Sequence, residues 1–431
     1  MNSTTRIIFC FQFGLLCGSH VAAQQVGVDT VALTLQEAEQ RLLQSNLHLR
    51  AARSGIEASR AAIEQARIWN NPTLSVAQNI YSQSTGKYFD FSKAGDMDMS
   101  VELTQTFLLG GKRSNQGQLA TIDAQVSEQT LKATLRDLRL ELRKSFFTLR
   151  YLQRLLAFYD ENIPLLRQMV MGMESVFLQR SILLSELLRL RSLLLTLESE
   201  RLDVVNTIAD KQAALRILLA DERDSNKYYT PQVDSSLIEA TRMDTLSLES
   251  VVKYALDRPD LRLAEEQVQQ HDANLSLQKS LAIPDISIGG QWSRRGAYIP
   301  NFYGVTLSID LPLFNRNQGN IAVAERTLEA AQYERDNLHR AVDQEVRIAW
   351  TKARAADALY RSLDHSFIDD YHQLVDGMIK SYQARNISLL QFTDFFESYR
   401  SSMVQLNQLR SNRLEAFEDL NHAAGRVILN P

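Results

Sequence analysis

Histidine is the residue type with which this chain would most readily bind a metal ion or transfer a proton. No pair of histidines has the four-residue spacing, with an adjacent glutamate, that a helical zinc protease requires. His365 and His372 share a helical face near Asp369 and Asp370, and we interpret them as solvated polar positions on a long helix. No segment matches a nucleophile elbow or a phosphate-binding loop. The sequence therefore predicts no catalytic, cofactor or metal site, and no enzyme. The seven histidines are His20, His48, His271, His339, His365, His372 and His422.

Both cysteines lie in a predicted export signal. Arg6 precedes an apolar run at residues 7–17, and small residues at 21–23 fit a signal peptidase site. We expect cleavage after Ala23, which makes residues 1–23 a signal peptide. Leu16 stands before Cys17 where a lipoprotein signal has a small residue, so ordinary cleavage ranks above lipidation of Cys17. Removal of Cys10 and Cys17 would leave an exported chain without disulfides or thiol chemistry.

Composition and hydropathy narrow the class further. The chain has 431 residues, of which 45% are hydrophobic and 23% charged, which is typical of a folded protein. A net charge of -4 gives no reason to expect a nucleic-acid partner. After the signal, no apolar run approaches the roughly 18 residues of a membrane-spanning helix. Any membrane span must therefore consist of strands.

The chain contains two copies of one unit. VELTQTFLLGGKRSNQG at 101–117 and VTLSIDLPLFNRNQG at 305–319 share the same plan, in which Val101, Leu103 and Leu109 correspond to Val305, Leu307 and Leu313. Each stretch changes from alternating apolar and polar residues to a helical period. We therefore divide the mature chain into a first repeat at 24–220, an inter-repeat segment at 221–245 and a second repeat at 246–431.

Each repeat begins with a predicted helix. Thr34 and Glu37 have the spacing of a capping box, so a helix is expected from residue 35 to about 68. The second repeat opens similarly at Leu246, and its helix is expected to reach about residue 280. Pro72 and Pro284 stop the two helices, because proline cannot continue a helix and favours an extended predecessor.

A β-hairpin is expected after each of these prolines. Apolar and polar residues alternate at about 72–81, 98–107, 284–293 and 302–311, which predicts four strands with one apolar face each. A sheet in a soluble protein, with one face exposed to solvent, would show the same alternation. Strands of this length can cross a bilayer, and aromatic residues near the hairpin ends favour a membrane interface. These are Tyr81, Tyr88, Phe89, Phe91, Trp292, Tyr298, Phe302 and Tyr303.

Four long helices follow the hairpins, at about 114–179, 183–219, 317–384 and 388–427. The first has Pro164 as its one expected kink or break. Apolar residues from Leu187 to Ile208 recur by threes, fours and sevens, which predicts antiparallel coiled-coil pairs. Glycine and asparagine tolerate positive φ and would form the bends where strand becomes helix. The bend residues are Gly110, Gly111, Asn315 and Asn317.

The turns between paired helices align without a gap, FLQRSILLSEL at 177–187 with YQARNISLLQF at 382–392. Two interpretations fit this alignment: duplicated turns that keep the same residues for turn chemistry, and a docking surface at the far end of the helices. At the other end, two hairpins supply four strands, too few to close a barrel that hides every strand edge from lipid. A spanning chain must therefore oligomerise, and three copies would give twelve strands and room for an aqueous lumen.

Four motifs carry a resemblance to a known family: NPTLSV at 71–76, FLLGGKR at 107–113, LPLFNRNQGN at 311–320 and NISLLQF at 386–392. With the duplicated plan they resemble the TolC outer-membrane efflux family, and within it the CzcC-like branch of heavy-metal RND efflux. The resemblance implies a mainly α fold with a small β part, in which a homotrimer forms a 12-stranded β-barrel continued by an α-helical tunnel. It also implies an outer-membrane location with a large periplasmic part.

The resemblance further implies a passive exit duct in a tripartite efflux system, working with a periplasmic adaptor and an inner-membrane RND pump and carrying heavy-metal cations. A periplasmic coiled-coil scaffold is the alternative from another class. A TolC-type channel for organic compounds or protein secretion is the alternative within the class. The implied adaptor contacts are Arg180, Ser181, Ile182, Arg385, Asn386 and Ile387, and the implied periplasmic constriction consists of Glu186, Gln391 and Asp394.

Overall fold

The computed structural model describes residues 29–90, 98–179, 182–220, 227–295, 299–363, 366–384 and 386–430. Within these ranges the chain is mainly helical with two small sheets, which confirms that part of the predicted fold class. The predicted signal peptide lies outside the described residues. In the described residues, no helix combines the length and the apolar character needed to cross a membrane.

The described residues form strands and helices that are numbered in chain order. The strands are β1 (Asp29–Thr34), β2 (Thr73–Gln78), β3 (Met99–Phe107), β4 (Lys227–Gln232), β5 (Ile286–Arg295) and β6 (Pro300–Ile309). The helices are α1 (Leu35–Ser45), α2 (Leu47–Arg67), α3 (Lys112–Leu178), α4 (Leu184–Leu219), α5 (Ser235–Ala240), α6 (Leu248–Ala255), α7 (Pro259–Leu281), α8 (Gln318–Ser362), α9 (Ser366–Gln383) and α10 (Leu389–Ala423).

The first repeat opens with the predicted capping box. The Thr34 hydroxyl accepts from the Glu37 N–H at 3.3 Å, and the Glu37 carboxylate accepts from the Thr34 N–H at 3.0 Å. The prediction of one helix from 35 to 68 was wrong at Asn46, where α1 ends and α2 begins. The buried Asn46 side chain accepts from the Leu49 N–H at 3.1 Å and donates to the Leu218 carbonyl at 2.9 Å. These side-chain bonds cap the start of a second helix and tie it to α4.

The opening helix of the second repeat is also divided, into α6 and α7, where one helix was predicted. Pro259 is the first residue of α7, and Arg258 before it is extended, with φ -60° and ψ 140°. Proline disfavours helical geometry in its predecessor, which explains the break. Arg258 is buried and donates to the Asp260 carboxylate at 2.7 Å and to the Ala423 carbonyl at 3.1 Å.

Strands β2, β3, β5 and β6 form one antiparallel sheet in that order. β2 pairs with β3 and β5 with β6, so each repeat contributes a hairpin. β3 also pairs with β5, and the two hairpins therefore form one continuous sheet with β2 and β6 as its outer strands.

A second sheet was not predicted. β4 lies in the inter-repeat segment and pairs in parallel with β1 from the start of the first repeat. The side chain of Gln212 on α4 holds β4, donating to the Tyr229 carbonyl at 2.7 Å and accepting from the Tyr229 N–H at 2.9 Å. Pro231 interrupts the strand pattern, and the partner strand lies at the other end of the repeat.

Helix α3 has 67 residues and is continuous through Pro164, so the possible break there does not occur. The Asn162 amide donates to the Phe158 carbonyl at 2.7 Å in the turn before the proline. The prediction of one helix from 317 to 384 was wrong, because α8 ends at Ser362. There the Ser362 hydroxyl donates to the Leu359 carbonyl at 2.8 Å, and Leu363 is extended.

The long helices pack around α3. α3 contacts α2, α4, α7 and α10. α8 in turn contacts α7 and α10. The predicted seam of α4 is buried at Leu187, Leu190, Leu197, Val204 and Ile208, together with Leu193 in place of the half-buried Leu194.

Candidate functional sites

One face of the four-stranded sheet is apolar and open. Leu74, Leu103 and Val305 lie in one row across the strands, with Gly290 between the last two, and these three side chains are 64%, 53% and 83% exposed. The next row joins Val76, Val101, Trp292 and Tyr303. A soluble monomer rarely exposes so many large apolar side chains together. This face requires an apolar environment.

The other face of the sheet is polar. The Glu102 carboxylate accepts from the hydroxyls of Thr104 at 3.2 Å and Thr306 at 3.1 Å. It reaches Thr306 across Gly289, where a Cβ atom would lie 2.4 Å from the Thr306 hydroxyl oxygen. The alternation read in the sequence thus gives two faces of opposite character, as a sheet between lipid and water requires.

Both edges of this sheet are open in the part of the chain that is described. β2 and β6 each pair with one neighbour only, so the outer N–H and C=O groups of each have no strand partner. Apolar side chains on an open edge strand favour pairing with another chain. Tyr303, Val305 and Leu307 on β6 are all strongly exposed.

The first strand-to-helix junction lies between β3 and α3. Gly110 and Gly111 have φ of 67° and 76°, the left-handed region that glycine favours. A Cβ atom on Gly110 would lie 2.6 Å from the side chain of Ile283 in the second repeat. The buried Lys112 ammonium donates to the Asp285 carboxylate at 2.7 Å, again across the repeats. This junction is fixed to the start of the other hairpin.

The second junction lies between β6 and α8. Asn317 has φ of 59° and donates through its side chain to the Gln278 carbonyl at 2.8 Å, while its N–H donates to the Asn315 side chain at 3.0 Å. Asn315 itself is not left-handed, and it acts as an acceptor. Both junctions therefore contact the C-terminal end of α7 or the residues just after it. Three apolar side chains of the second junction are exposed, namely Leu311, Leu313 and Phe314.

Two helix ends meet at each tip opposite the sheet. Ile182 and Ile387 are half-buried and pack against the main apolar core, whereas Asn386 is exposed. The Asn386 N–H donates to the Ser381 carbonyl at 2.8 Å. Of the three predicted adaptor contacts that the structure describes, Asn386 is therefore the most accessible. The other three predicted contacts, Arg180, Ser181 and Arg385, lie outside the described residues.

Comparison with known proteins identifies the family of this chain. The sequence profile described as "Outer membrane efflux protein" matches residues 38–221 and 252–426, one stretch in each repeat. The chain belongs to the outer membrane efflux protein family. It is accordingly an outer-membrane protein of an efflux channel family, and its relatives are channels rather than enzymes.

Two resistance proteins are similar over much of the chain. The cobalt-zinc-cadmium resistance protein CzcC of Cupriavidus metallidurans is 20% identical over 91% of this chain and 90% of its own length. The nickel-cobalt-cadmium resistance protein NccC of Alcaligenes xylosoxydans xylosoxydans is 25% identical over 70% of this chain and 66% of its own length. The resemblance to this family predicted from the sequence is confirmed.

Solved channels share the fold. CusC superposes with a TM-score of 0.70 at 17% identity, covering 91% of this chain and 92% of its own. The CmeC outer membrane channel of Campylobacter jejuni superposes with a TM-score of 0.73 at 14% identity, covering 91% and 85%. At these identities the superpositions establish the fold of this family member.

The three predicted constriction residues of this efflux family member differ in environment. Gln391 forms a capping box with Ser388, and its side-chain oxygen accepts from the Ser388 N–H at 2.9 Å. The Gln391 side chain is therefore engaged at the start of α10. Asp394 is exposed, and its carboxylate makes no hydrogen bond or ion pair with the described residues. Glu186 is half-buried. The pKa of Tyr382 is raised, mainly by burial of Tyr382 and secondly by the nearby negative charge of Glu186.

An aromatic ladder above the tips was not predicted. Tyr382 stacks on Phe392 with ring centres 5.3 Å apart, and Phe392, Phe396 and Tyr399 follow one another at 5.9 and 6.0 Å. Phe158 on α3 joins the ladder 5.4 Å from Tyr399. The spacing of residues 392, 396 and 399 places them on one face of α10, and that spacing is the signal that could have identified them.

The histidines do not form a metal centre in the described part of the chain, where no group of three or more His, Cys, Asp or Glu side chains could hold a metal ion. His365 and the side chain of His372 lie outside the described residues. His422 contacts Asp137 at 2.8 Å and Glu345 at 3.5 Å. The hydrogen bond with His422, and a further one from Arg258, lower the pKa of Glu345 to about 2 against the effect of burial.

Proposed function

We propose that the protein is the outer-membrane channel of a tripartite efflux system and that it acts as a homotrimer. In this role it supplies a passive duct from the periplasmic end of the helices to the cell exterior. An inner-membrane RND pump supplies the energy, and a periplasmic adaptor connects the pump to the tips. Heavy-metal cations are the proposed cargo.

The observation that carries the trimer is the four-stranded sheet with one exposed apolar face and two open edges. In lipid, unpaired backbone groups cost several kcal/mol each, so the edges must pair with further copies. Two chains would give a barrel of eight strands, whose interior would be nearly filled by side chains. Three chains give twelve strands and leave room for water. The polar face with Glu102 would then line the lumen.

The cargo and partners rest on the relatives. CzcC and NccC are named as resistance proteins for cobalt, zinc, nickel and cadmium, and CzcC aligns with this chain over nearly its whole length. The tips are the proposed adaptor contact, and Asn386 is the most accessible of the three predicted contact residues that the structure describes. Opening would occur when helix pairs at the tips separate.

A deletion strain tests the cargo. Without this protein, growth should be inhibited at lower concentrations of zinc, cobalt or cadmium, and the intact gene should restore tolerance. Sensitivity only to dyes, detergents and antibiotics would instead support a channel for organic compounds. Unchanged tolerance to both groups, with loss of a secreted protein, would support secretion.

Asp394 is the proposed cation-attracting residue of the constriction, because its carboxylate is exposed and uncommitted within the described chain. Asp394→Asn should reduce cation selectivity of single channels in planar bilayers. Glu64→Gln is the matched control, since Glu64 is an exposed carboxylate on α2 near the sheet end of the helices. Unchanged conductance and selectivity in Asp394→Asn would remove this residue from the constriction.

A further inference from the structure

A cavity lies between the two repeats, away from the sheet and the tips. It is lined by residues of α3, α8, α10 and the inter-repeat segment and has a volume of about 400 Å³. Concave sites of this size accommodate small organic molecules. Its apolar wall includes Tyr151, Phe158, Tyr360 and Met403.

Three arginines converge on this cavity. Arg150 and Arg154 are one turn apart on α3, and Arg410 faces them from α10. Within the described chain, none of the three has a carboxylate oxygen within 4.0 Å or a hydrogen-bond acceptor. Glu161 and Glu239 also line the cavity but form no ion pair with them.

The neighbouring Arg413 is buried, and the chain itself supplies the hydrogen-bond acceptors for its guanidinium group. Arg413 donates to the Asp357 carboxylate at 2.8 Å and to the carbonyls of Ile238 at 3.1 Å and Thr241 at 2.7 Å. The three cavity arginines are more open to water, with Arg154 exposed and Arg150 and Arg410 half-buried, and they have no such acceptors within the described chain. Burial, and then the charges of Arg150 and Arg410, lower the pKa of Arg154, because each disfavours its positive charge.

We infer that this cavity binds a small organic oxyanion, with a carboxylate or phosphate group attached to an apolar body. Guanidinium groups bind such oxyanions through paired N–H donors, and an anion would reduce the repulsion among the three arginines. The aromatic wall would contact the apolar part of the ligand. Because Arg150 and Arg154 belong to the first repeat and Arg410 to the second, the bound anion would join the two repeats.

Thermal unfolding of the full-length, detergent-purified protein tests this site, with phenyl phosphate as probe and benzyl alcohol and chloride as controls at constant ionic strength. Phenyl phosphate should raise the Tm in a saturable manner, whereas the controls should not. Arg154→Gln and Arg410→Gln should each weaken binding roughly tenfold, the loss expected for a charged hydrogen bond. Arg189→Gln, at an exposed arginine of α4, should bind the probe as the wild type does.

Stability without the probe separates a binding role from a structural one. If the arginines repel one another, Arg154→Gln should be at least as stable as the wild type in chloride. A purely structural role predicts a lower Tm instead, and this would overturn the inference. So would the absence of a probe-specific shift, or a loss of oligomer in Arg154→Gln, which would indicate that a second copy supplies the carboxylate.

Discussion

The two strand-to-helix junctions occupy equivalent places in the repeats but are built differently. The first has two left-handed glycines, a buried lysine and contacts across the repeats, because β3 lies inside the sheet. The second uses one left-handed asparagine held by Gln278 and leaves Phe314 93% exposed, because β6 is an outer strand. The inner junction is completed within the chain, whereas the outer one has an open side where a further copy would fit.

Substitution at the inner junction should have the largest effect. Gly110→Val places a branched side chain at φ 67° and within 2.6 Å of Ile283, which should destabilise the fold by roughly 3 kcal/mol. Gly111→Ala is the control, since its φ is 76° but nothing lies within 4 Å, and it should cost about 1 kcal/mol. For both variants, the loss of stability is measured as the temperature at which the band of folded protein disappears from a gel. Equal losses would contradict the close contact with Ile283.

The ion pair across the repeats should have the next largest effect. Asp285→Ala leaves the buried Lys112 ammonium and the Leu109 N–H without their acceptor, which should cost about 2 kcal/mol. The double variant with Lys112→Met should recover most of this stability in the same thermal measurement. Glu325→Ala, which removes an exposed pair with Lys279 at 4.0 Å, is the control and should change stability by less than about 0.5 kcal/mol. A double variant as unstable as Asp285→Ala would contradict this role of the pair.

At the outer junction the effect should be smaller. Asn317→Ala loses the bond to Gln278 and places alanine at φ 59°, which together should cost roughly 1–2 kcal/mol. Asn317→Gly removes the same bond but tolerates the backbone, so it should lie between alanine and the wild type in thermal stability. If glycine is as harmful as alanine, the left-handed backbone is not what the asparagine supplies.

The exposed apolar residues of the outer junction should affect the fold of one chain least. Phe314→Ser should change the stability of a monomer by less than about 0.5 kcal/mol, since an exposed side chain has little packing to lose. It should nevertheless lower the proportion of oligomer seen by size-exclusion chromatography with light scattering. Tyr333→Ser, an exposed aromatic on α8, is the control. An unchanged oligomer fraction in Phe314→Ser would place the interface elsewhere.

Local patterns predicted the hairpins, the long helices and the junctions, because a change of period at Gly110–Gly111 and Asn315–Asn317 is visible in the sequence itself. The break at Asn46 was missed, since it depends on a side-chain bond to the distant Leu218 that the period does not show. The break after Ser362 has no structural explanation in the described residues. β4 was missed because its partner β1 is nearly a whole repeat away.

Among the candidate site residues, Asn317 is left-handed as its residue type suggested, whereas Asn315 is not. Gln391 caps α10, and its place at the constriction stays a prediction. The cluster of Arg150, Arg154 and Arg410 joins residues of two repeats. No local motif marks it, and the fold alone brings it together.

We propose above all that three chains close one barrel through their outer strands. Native mass spectrometry of the protein extracted from outer membranes, stepped through rising collision energy, tests it most directly. We expect an intact species with the mass of three chains that dissociates to single chains. A species of one or two chains under the same gentle conditions would contradict it.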